Sequence, residues 1–340
     1  MPDRVAHALS LGIACILLFG AADAQLRRSV AVATAPTFKV ATWNIRSGMG
    51  VRGFRTRSET KVSGSVEPGT SVPAGSVEPG TSVPAGSWDH ETLNCDDRSR
   101  AMNAWGIGLP QRVLAELRQD EAIVAVALQE AWNCAAPERV NEILGFATAS
   151  REVEGVALLA RHGVRGSVRY ARLDAANNRW VVGADVCLDE ACQRTVPVYS
   201  THFGSAADEL TSQARAVVEL LRESSSPHLL LGDLNVYEID RWSPWVPCAG
   251  TTRRSPVLDV LRAAGYRDAW VETQAGAGWT GMASRPDCGS PQGMPFKRID
   301  YVLTRGVDVI ATSQFAAAMP GGDAPSDHRG LIAELVAPNP

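Results

Sequence analysis

The stretch His228-Leu229-Leu230-Leu231-Gly232-Asp233-Leu234-Asn235 is an apolar run that stops abruptly on polar side chains. So short a continuous apolar run reads as a strand buried on both faces. The strand ends in Gly-Asp-Leu-Asn, where a lone Asp or Asn has the plain reading of a turn residue. The same grammar recurs on both sides. Phe38–Ile45 is apolar and β-branched, and carries Asn44 near its end. Ala122–Leu128 runs into Gln129 and Glu130, and Val196–His202 ends on its histidine. Arg298–Thr304 carries Asp300, and Ser326-Asp327-His328 stands directly before the run Arg329–Leu335. Val153–Ala160, Val168–Leu173, Trp180–Leu188 and Val307–Ala311 read as further strands.

Helical periodicity fills the intervals. Pro110 suits the first turn of a helix, with Val113, Leu114 and Leu117 on one face. Pro137 opens another through Leu144. Ala207–Arg222 sets Leu210, Ala214, Val217, Val218 and Leu221 on one side, and Val257–Ala264 closes at Gly265. Helices and strands interleave, yet several strands are consecutive. That order predicts an α/β protein with mixed sheets and helices outside, rather than a doubly wound parallel sheet.

The chain has 340 residues, 45% of them apolar and 21% charged, enough to bury a large core. Its net charge of −4 gives no support to an obligate duplex-DNA clamp, which carries a basic footprint. At the N-terminus, Arg4 precedes the apolar run Ala8 to Phe19, and Ala22-Asp23-Ala24 follows. This is the pattern of a signal peptide over residues 1–24, followed by a linker over 25–37. The run is shorter than the ~20 residues a bilayer span needs. The expectation is an exported protein, periplasmic or extracellular, without a stable membrane span. Beyond Cys15, six cysteines remain: Cys95, Cys134, Cys187, Cys192, Cys248 and Cys288. An even number in an exported chain suggests disulfides. Cys187 and Cys192 are the best pair, because a short turn brings both across a hairpin. Zinc is disfavoured, with no Cys-x-x-Cys and no histidine at ligand spacing.

One segment breaks the pattern. Ser65–Gly75 reads SVEPGTSVPAG, and Ser76–Gly86 repeats it letter for letter. Two such copies build no core, so residues 47–90 are expected to form a flexible insertion. Removal of Ser65–Gly86 is expected to change stability little, because loop length costs little. The insertion begins with a basic run, Arg46, Arg52, Arg55, Arg57 and Lys61. That run reads either as a phosphate contact or lid, or as a solvated linker; Arg46, beside Asn44, is the candidate phosphate contact. Gly48–Gly53 matches G-x-G-x-x-G but lacks the helix a dinucleotide fingerprint requires. Trp242 and Trp245 could stack on a base or enter a lipid surface; packing under their own loop is the plainer reading.

Singly, each polar strand end has a dull reading as a turn residue, a solvated acid or a structural histidine. Together they resemble a family. TWNIR at Thr42–Arg46, LQE at Leu128–Glu130, THF at Thr201–Phe203, GDLN at Gly232–Asn235, RIDYVL at Arg298–Leu303 and SDH at Ser326–His328 are similar, in order, to the blocks of the endonuclease/exonuclease/phosphatase superfamily of metal-dependent phosphoesterases. The resemblance implies a four-layer sandwich, two mixed β-sheets face to face with helices outside, over residues 38–337. It departs from the family in the long insertion after the first strand. A Cys95–Cys134 disulfide would pin the end of that insertion to the loop after Glu130.

The resemblance also implies roles. Glu130 would be the principal metal ligand, with Asn44 and Asp327 nearby, and such hard oxygen donors suit Mg²⁺ or Mn²⁺. Asp233 would orient and deprotonate the attacking water. Asn235 and His202 would hydrogen-bond phosphoryl oxygens, and Asp300 would fix the tautomer of His328. Either His328 or a metal-bound water would protonate the leaving group. The expected protein is a monomeric hydrolase of phosphodiesters, a nuclease first, with no protein partner evident. A sphingomyelinase-like phospholipase or an inositol-phosphate phosphatase is the alternative within the class. A non-catalytic binding protein on the same fold is the alternative outside it.

Overall fold

The computed structural model describes residues 35–46, 95–96, 104–174, 178–224, 227–237, 254–273, 278–282, 295–316 and 324–338. The signal-peptide segment, the repeat, the basic run beyond Arg46, the Gly-x-Gly match, Trp242, Trp245, Cys248 and Cys288 lie outside the described residues.

Two six-stranded sheets form the frame. The first contains β1 (Thr37–Asn44), β2 (Ile123–Gln129), β3 (Thr148–Ala149), β4 (Ala157–Ala160), β13 (Val309–Phe315) and β14 (Gly330–Val336), in the order β13-β14-β1-β2-β4-β3. The second contains β5 (Val164–Asp174), β6 (Arg179–Cys187), β7 (Thr195–His202), β8 (His228–Asp233), β9 (Arg267–Asp268) and β12 (Asp300–Arg305), in the order β5-β6-β7-β8-β12-β9. A ribbon of β10 (Gly281–Met282) and β11 (Pro295–Lys297) stands apart. Each sheet is antiparallel except for one central parallel pair, β1 with β2 and β7 with β8. Mixed sheets are therefore what the element order predicted.

Alternation of side chains along each strand sorts the residues into layers. Between the sheets lie Val40, Ala127, Val198, Leu229, Leu231, Val302 and Ala333. On the outer face of the first sheet, Trp43, Val126, Leu128 and Leu159 pack against α1 (Leu109–Gln119) and α2 (Pro137–Leu144) through Leu114, Leu117, Val140 and Leu144. On the outer face of the second, Tyr199, Leu230, Tyr301 and Leu303 pack against α3 (Ala207–Leu220) and α4 (Pro256–Ala263) through Leu210, Ala214, Val217, Leu258 and Leu261. A short α5 (Ala269–Thr273) follows β9. The result is the expected four-layer sandwich. Its strands can be apolar throughout because both faces are covered, as β2 shows with every residue buried.

The cysteines of the described residues pair as Cys95–Cys134 and Cys187–Cys192. The first fastens the segment at Cys95 to the 3₁₀ turn Asn133–Ala135 after Glu130, where Arg139 also meets Asp96 at 2.9 Å. The second closes the turn between β6 and β7.

Candidate active site

The inner faces of the central strands change character along their length. In β1 they run Phe38, Val40, Thr42, Asn44; in β7, Val196, Val198, Ser200, His202; in β8, Leu229, Leu231, Asp233. Apolar residues give way to hydroxyls and amides, then to ionisable groups at one end of the sandwich. That end is the C-terminal edge of both parallel pairs. β12 runs the other way, so it brings Asp300 there with its first residue. Register completes the row: Asp233 lies opposite His202 on β7 and opposite Asp300 on β12.

Gly232 lets this row close. Its φ is 149°, and a Cβ there would stand 1.9 Å from the Thr201 carbonyl oxygen. Only glycine admits so close an approach of β8 to β7. Other backbone distortion also collects at the site: Arg46, Glu130 and Asn235 have φ of 47°, 52° and 51°. Asparagine tolerates this region; arginine and glutamate do so at a cost, and such positions cluster where function holds them.

The first sheet supplies the facing groups. Asn44 Nδ2 donates to Glu130 Oε1 and to Asp233 Oδ2, both at 3.1 Å, and Asn44 Oδ1 accepts from the Arg46 N–H. Ser326 Oγ donates to the Asn44 carbonyl at 2.7 Å and accepts from the His328 N–H at 3.1 Å. His328 thereby reaches back across the seam. Its Nδ1 meets Asp300 Oδ2 at 2.8 Å, and its Nε2 lies 3.8 Å from Asp233 Oδ2. Asp233 Oδ1 accepts from the Asn235 N–H, while Asn235 Nδ2 contacts His202 Nε2 at 3.2 Å and donates to the Phe203 carbonyl. Asp327 sits beside Arg46, with Oδ2 3.5 Å from Nε. The structure thus gathers Asn44, Arg46, Glu130, His202, Asp233, Asn235, Asp300, Asp327 and His328 into one constellation.

Sequence reasoning missed four contributors. Ser326 was seen only as part of its block. Thr280 accepts from the Asp300 and Ile299 N–H groups with Oγ1, and so aims Asp300, but it lies outside any predicted element. Gly232 carries no role of its own in the sequence reading beyond its place in the block GDLN. Arg179 opens a strand rather than ending one. Its Nε is buried with no hydrogen-bond partner among the described residues, and its charge acts on His202.

The electrostatics show what the constellation lacks. Burial pushes the Glu130 carboxyl up, an effect the Asn44 hydrogen bond opposes and the Asp327 charge adds to. Burial likewise raises Asp233, and the Asp300 charge raises it further. Burial lowers His202 to about 4 and keeps the imidazole neutral, with Arg179 adding to the push against Asp233. His328 goes the other way: burial disfavours its cation, but Asp300 and Asp233 hold it well above the ordinary range. Four carboxylates therefore face three cations, His328, Arg46 and Arg179. A divalent cation is the group that this donor set fits, since it supplies the missing positive charge to hard oxygen ligands. The ligand atoms of Asp233, Asp300 and His328 all lie within 4.8 Å of one another. Asp300 and His328 are already committed to each other, so the half-buried Glu130 with Asp327 is the more open seat for an ion.

A family model described as Endonuclease/Exonuclease/phosphatase family matches residues 41–328. The chain belongs to this family. Members of this family are divalent-metal-dependent hydrolases of phosphoester bonds, and the chain is such a hydrolase by membership. A search of curated proteins finds no significant match. Among solved structures, an endonuclease/exonuclease/phosphatase from Beutenbergia cavernae is 20% identical, with a TM-score of 0.54 over 88% of this chain and 72% of its own. TDP2 from D. rerio, complexed with a single-strand DNA product, is 14% identical, with a TM-score of 0.53 over 88% and 98%. A mannosyl-6-phosphatase from Bacteroides thetaiotaomicron is 15% identical, with a TM-score of 0.53 over 88% and 99%. At these identities the likeness is one of fold. Among the described residues, no helix is long and apolar enough to cross a membrane.

Proposed function

We propose that the protein is an exported phosphodiesterase that cleaves nucleic acid. The observation that carries this reading is the row His202–Asp233–Asp300 on one sheet, facing Asn44 and Glu130 on the other. When bound, the divalent cation supplies Lewis-acid stabilisation of the phosphoryl oxygens. Glu130, with Asp327 beside it, would hold that ion, and Asn44 keeps Glu130 and Asp233 in step. Asp233, whose burial and Asp300 neighbour strengthen it as a base, orients the attacking water and takes its proton. Asn235 and the neutral His202, in mutual contact at 3.2 Å, would exchange that contact for donation to the non-bridging oxygens when substrate binds. His328, held as a cation by Asp300, carries the charge and the proton that face the leaving oxygen.

Two cations extend the site beyond the reacting phosphate, Arg46 from the first sheet and Arg179 from the second. The Arg179 Nε has no hydrogen-bond partner among the described residues, which leaves its charge available to a nearby anion. A pair carried by opposite sheets suits neighbouring phosphates of a polyanion. The DNA product bound by the fold relative TDP2 accords with this reading. Export rests on the signal-peptide pattern of residues 1–24.

The test is a hydrolysis panel on purified protein with Mg²⁺, Mn²⁺ or EDTA. It contains plasmid DNA, single-stranded DNA, RNA, sphingomyelin, inositol phosphates and bis-p-nitrophenyl phosphate, run beside Asp233→Asn. EDTA-sensitive nicking lost in the variant is expected. Turnover confined to sphingomyelin or to a phosphomonoester would replace the nuclease reading.

A further inference from the structure

We propose that Gln129 is a positioning residue that sets the spacing of the two sheets beneath the site. The inference rests on the division of labour proposed above. That reading uses Glu130 and leaves unexplained the fully buried glutamine before it. Gln129 O accepts from the Ile45 N–H within the first sheet. Its side chain points between the sheets. There Thr42 Oγ1 donates to Gln129 Oε1 at 3.2 Å, and Gln129 Nε2 donates to Ser200 Oγ of β7 at 3.2 Å. Ser200 Oγ lies 3.4 Å from the Leu128 carbonyl, a second link back to the first sheet. Thr42 and Ser200 are fully buried as well.

This layer lies one inward-facing residue below the constellation: Thr42 below Asn44, Ser200 below His202. Of the links that cross the seam, Asn44 to Asp233 and His328 to Asp300 belong to the site itself. The Thr42–Gln129–Ser200 chain touches no reacting group. Apolar residues would fill the position as well, since a paired polar group in a core is at best close to neutral against a matched apolar set. A directional chain does what an apolar contact does not: it fixes distance and register between two sheets that otherwise meet through non-directional packing. The metal side of the site, Asn44, Glu130 and Asp327, rides on the first sheet. The water side, His202, Asp233 and Asn235, rides on the second. Their mutual placement is what the chain controls.

The test compares Gln129→Met, and the apolar triple variant Thr42→Val/Gln129→Met/Ser200→Ala, with wild-type protein. The triple variant leaves no orphaned partner, and serves if the single variant does not fold. Three quantities are read: Mn²⁺ affinity of metal-free protein by calorimetry, kcat on bis-p-nitrophenyl phosphate, and the Asn44 side-chain amide resonance, assigned through Asn44→Asp. The expected result is Mn²⁺ affinity within about threefold of wild type and kcat down about tenfold to a hundredfold, the range that misplacement by ~1 Å produces. The amide resonance should broaden or shift as its Asp233 bond loosens. An unchanged resonance with kcat within twofold overturns the proposal. So does a loss of Mn²⁺ affinity in step with kcat, which would place Gln129 in the ion site alone. If wild-type protein hydrolyses nothing in the panel, the functional reading fails, and the resonance alone decides this one.

Discussion

His202 shows how much one side chain records of its surroundings. Its ring is buried, its Nδ1 has no partner among the described residues, and its pKa falls to about 4. A histidine at its ordinary value of 6.5 in the unfolded chain then binds protons that the folded chain refuses. Its stabilising contribution is present at neutral pH and is lost as pH falls from 6.5 toward 4. The limit is about 3 kcal/mol at 1.36 kcal/mol per unit. Urea denaturation in EDTA at pH 7, 5.5 and 4.5 should show wild type losing ground to His202→Gln across that window; a difference independent of pH would refute it. Glu130 gives a second test at this scale. Glu130→Gln keeps the oxygen that accepts from Asn44 but removes the charge. In EDTA its melting temperature should match wild type. Added Mn²⁺ should then raise wild type, by about 2.7 kcal/mol at a hundredfold excess over Kd, and leave the variant where it was. An equal rise in both would move the ion away from Glu130. These residues were legible in the sequence because each closes an apolar run with a group that has no reason to be there. Arg179 was not, because a charged residue opening a strand looks solvated until its neighbours are placed.

At the scale of elements, the long central strands and the four principal helices follow from periodicity. The short pieces β3, β9, β10 and β11 do not, since two or three residues become a strand only when a partner lies alongside. β8 is instructive. Sequence ended it at Leu231, where the apolar run stops, but pairing carries it through Asp233. The residues that looked like a turn are the strand's working end, admitted by Gly232. Gly232→Ala must push against the Thr201 carbonyl. It should cost more than ~2 kcal/mol, above the usual glycine effect, and abolish activity by displacing Asp233. A melting temperature within a degree of wild type would show that β7 yields. The disulfides differ by loop length. Chain-entropy reasoning gives roughly 4 kcal/mol for the separation of 39 at Cys95–Cys134 and roughly 2 for the separation of 5 at Cys187–Cys192. Chemical denaturation of the Cys→Ser pairs should keep that order; the reverse would mean that the Cys187–Cys192 turn holds β6 to β7.

Over the whole molecule, the sandwich places its chemistry on a seam. Element order carried the mixed sheets with helices outside, and the family resemblance carried the four layers. The joint pattern of strand ends carried the gathering of distant residues. What neither carried is which sheet each strand joins, because that depends on pairing across most of the chain. β1 shows the extreme: Thr37 pairs with Val336 and Thr42 with Leu331. In the first sheet β14 lies between β13 and β1, so β1 has an open edge until the final strand arrives. A chain still being synthesised holds Asn44 and Glu130 early, but lacks Asp327, His328 and the strand that seats them. Truncated or stalled products short of β14 are therefore chemically silent. With nucleic acid as the substrate, as proposed above, the order in which the strands are born would shield the cell that makes the enzyme.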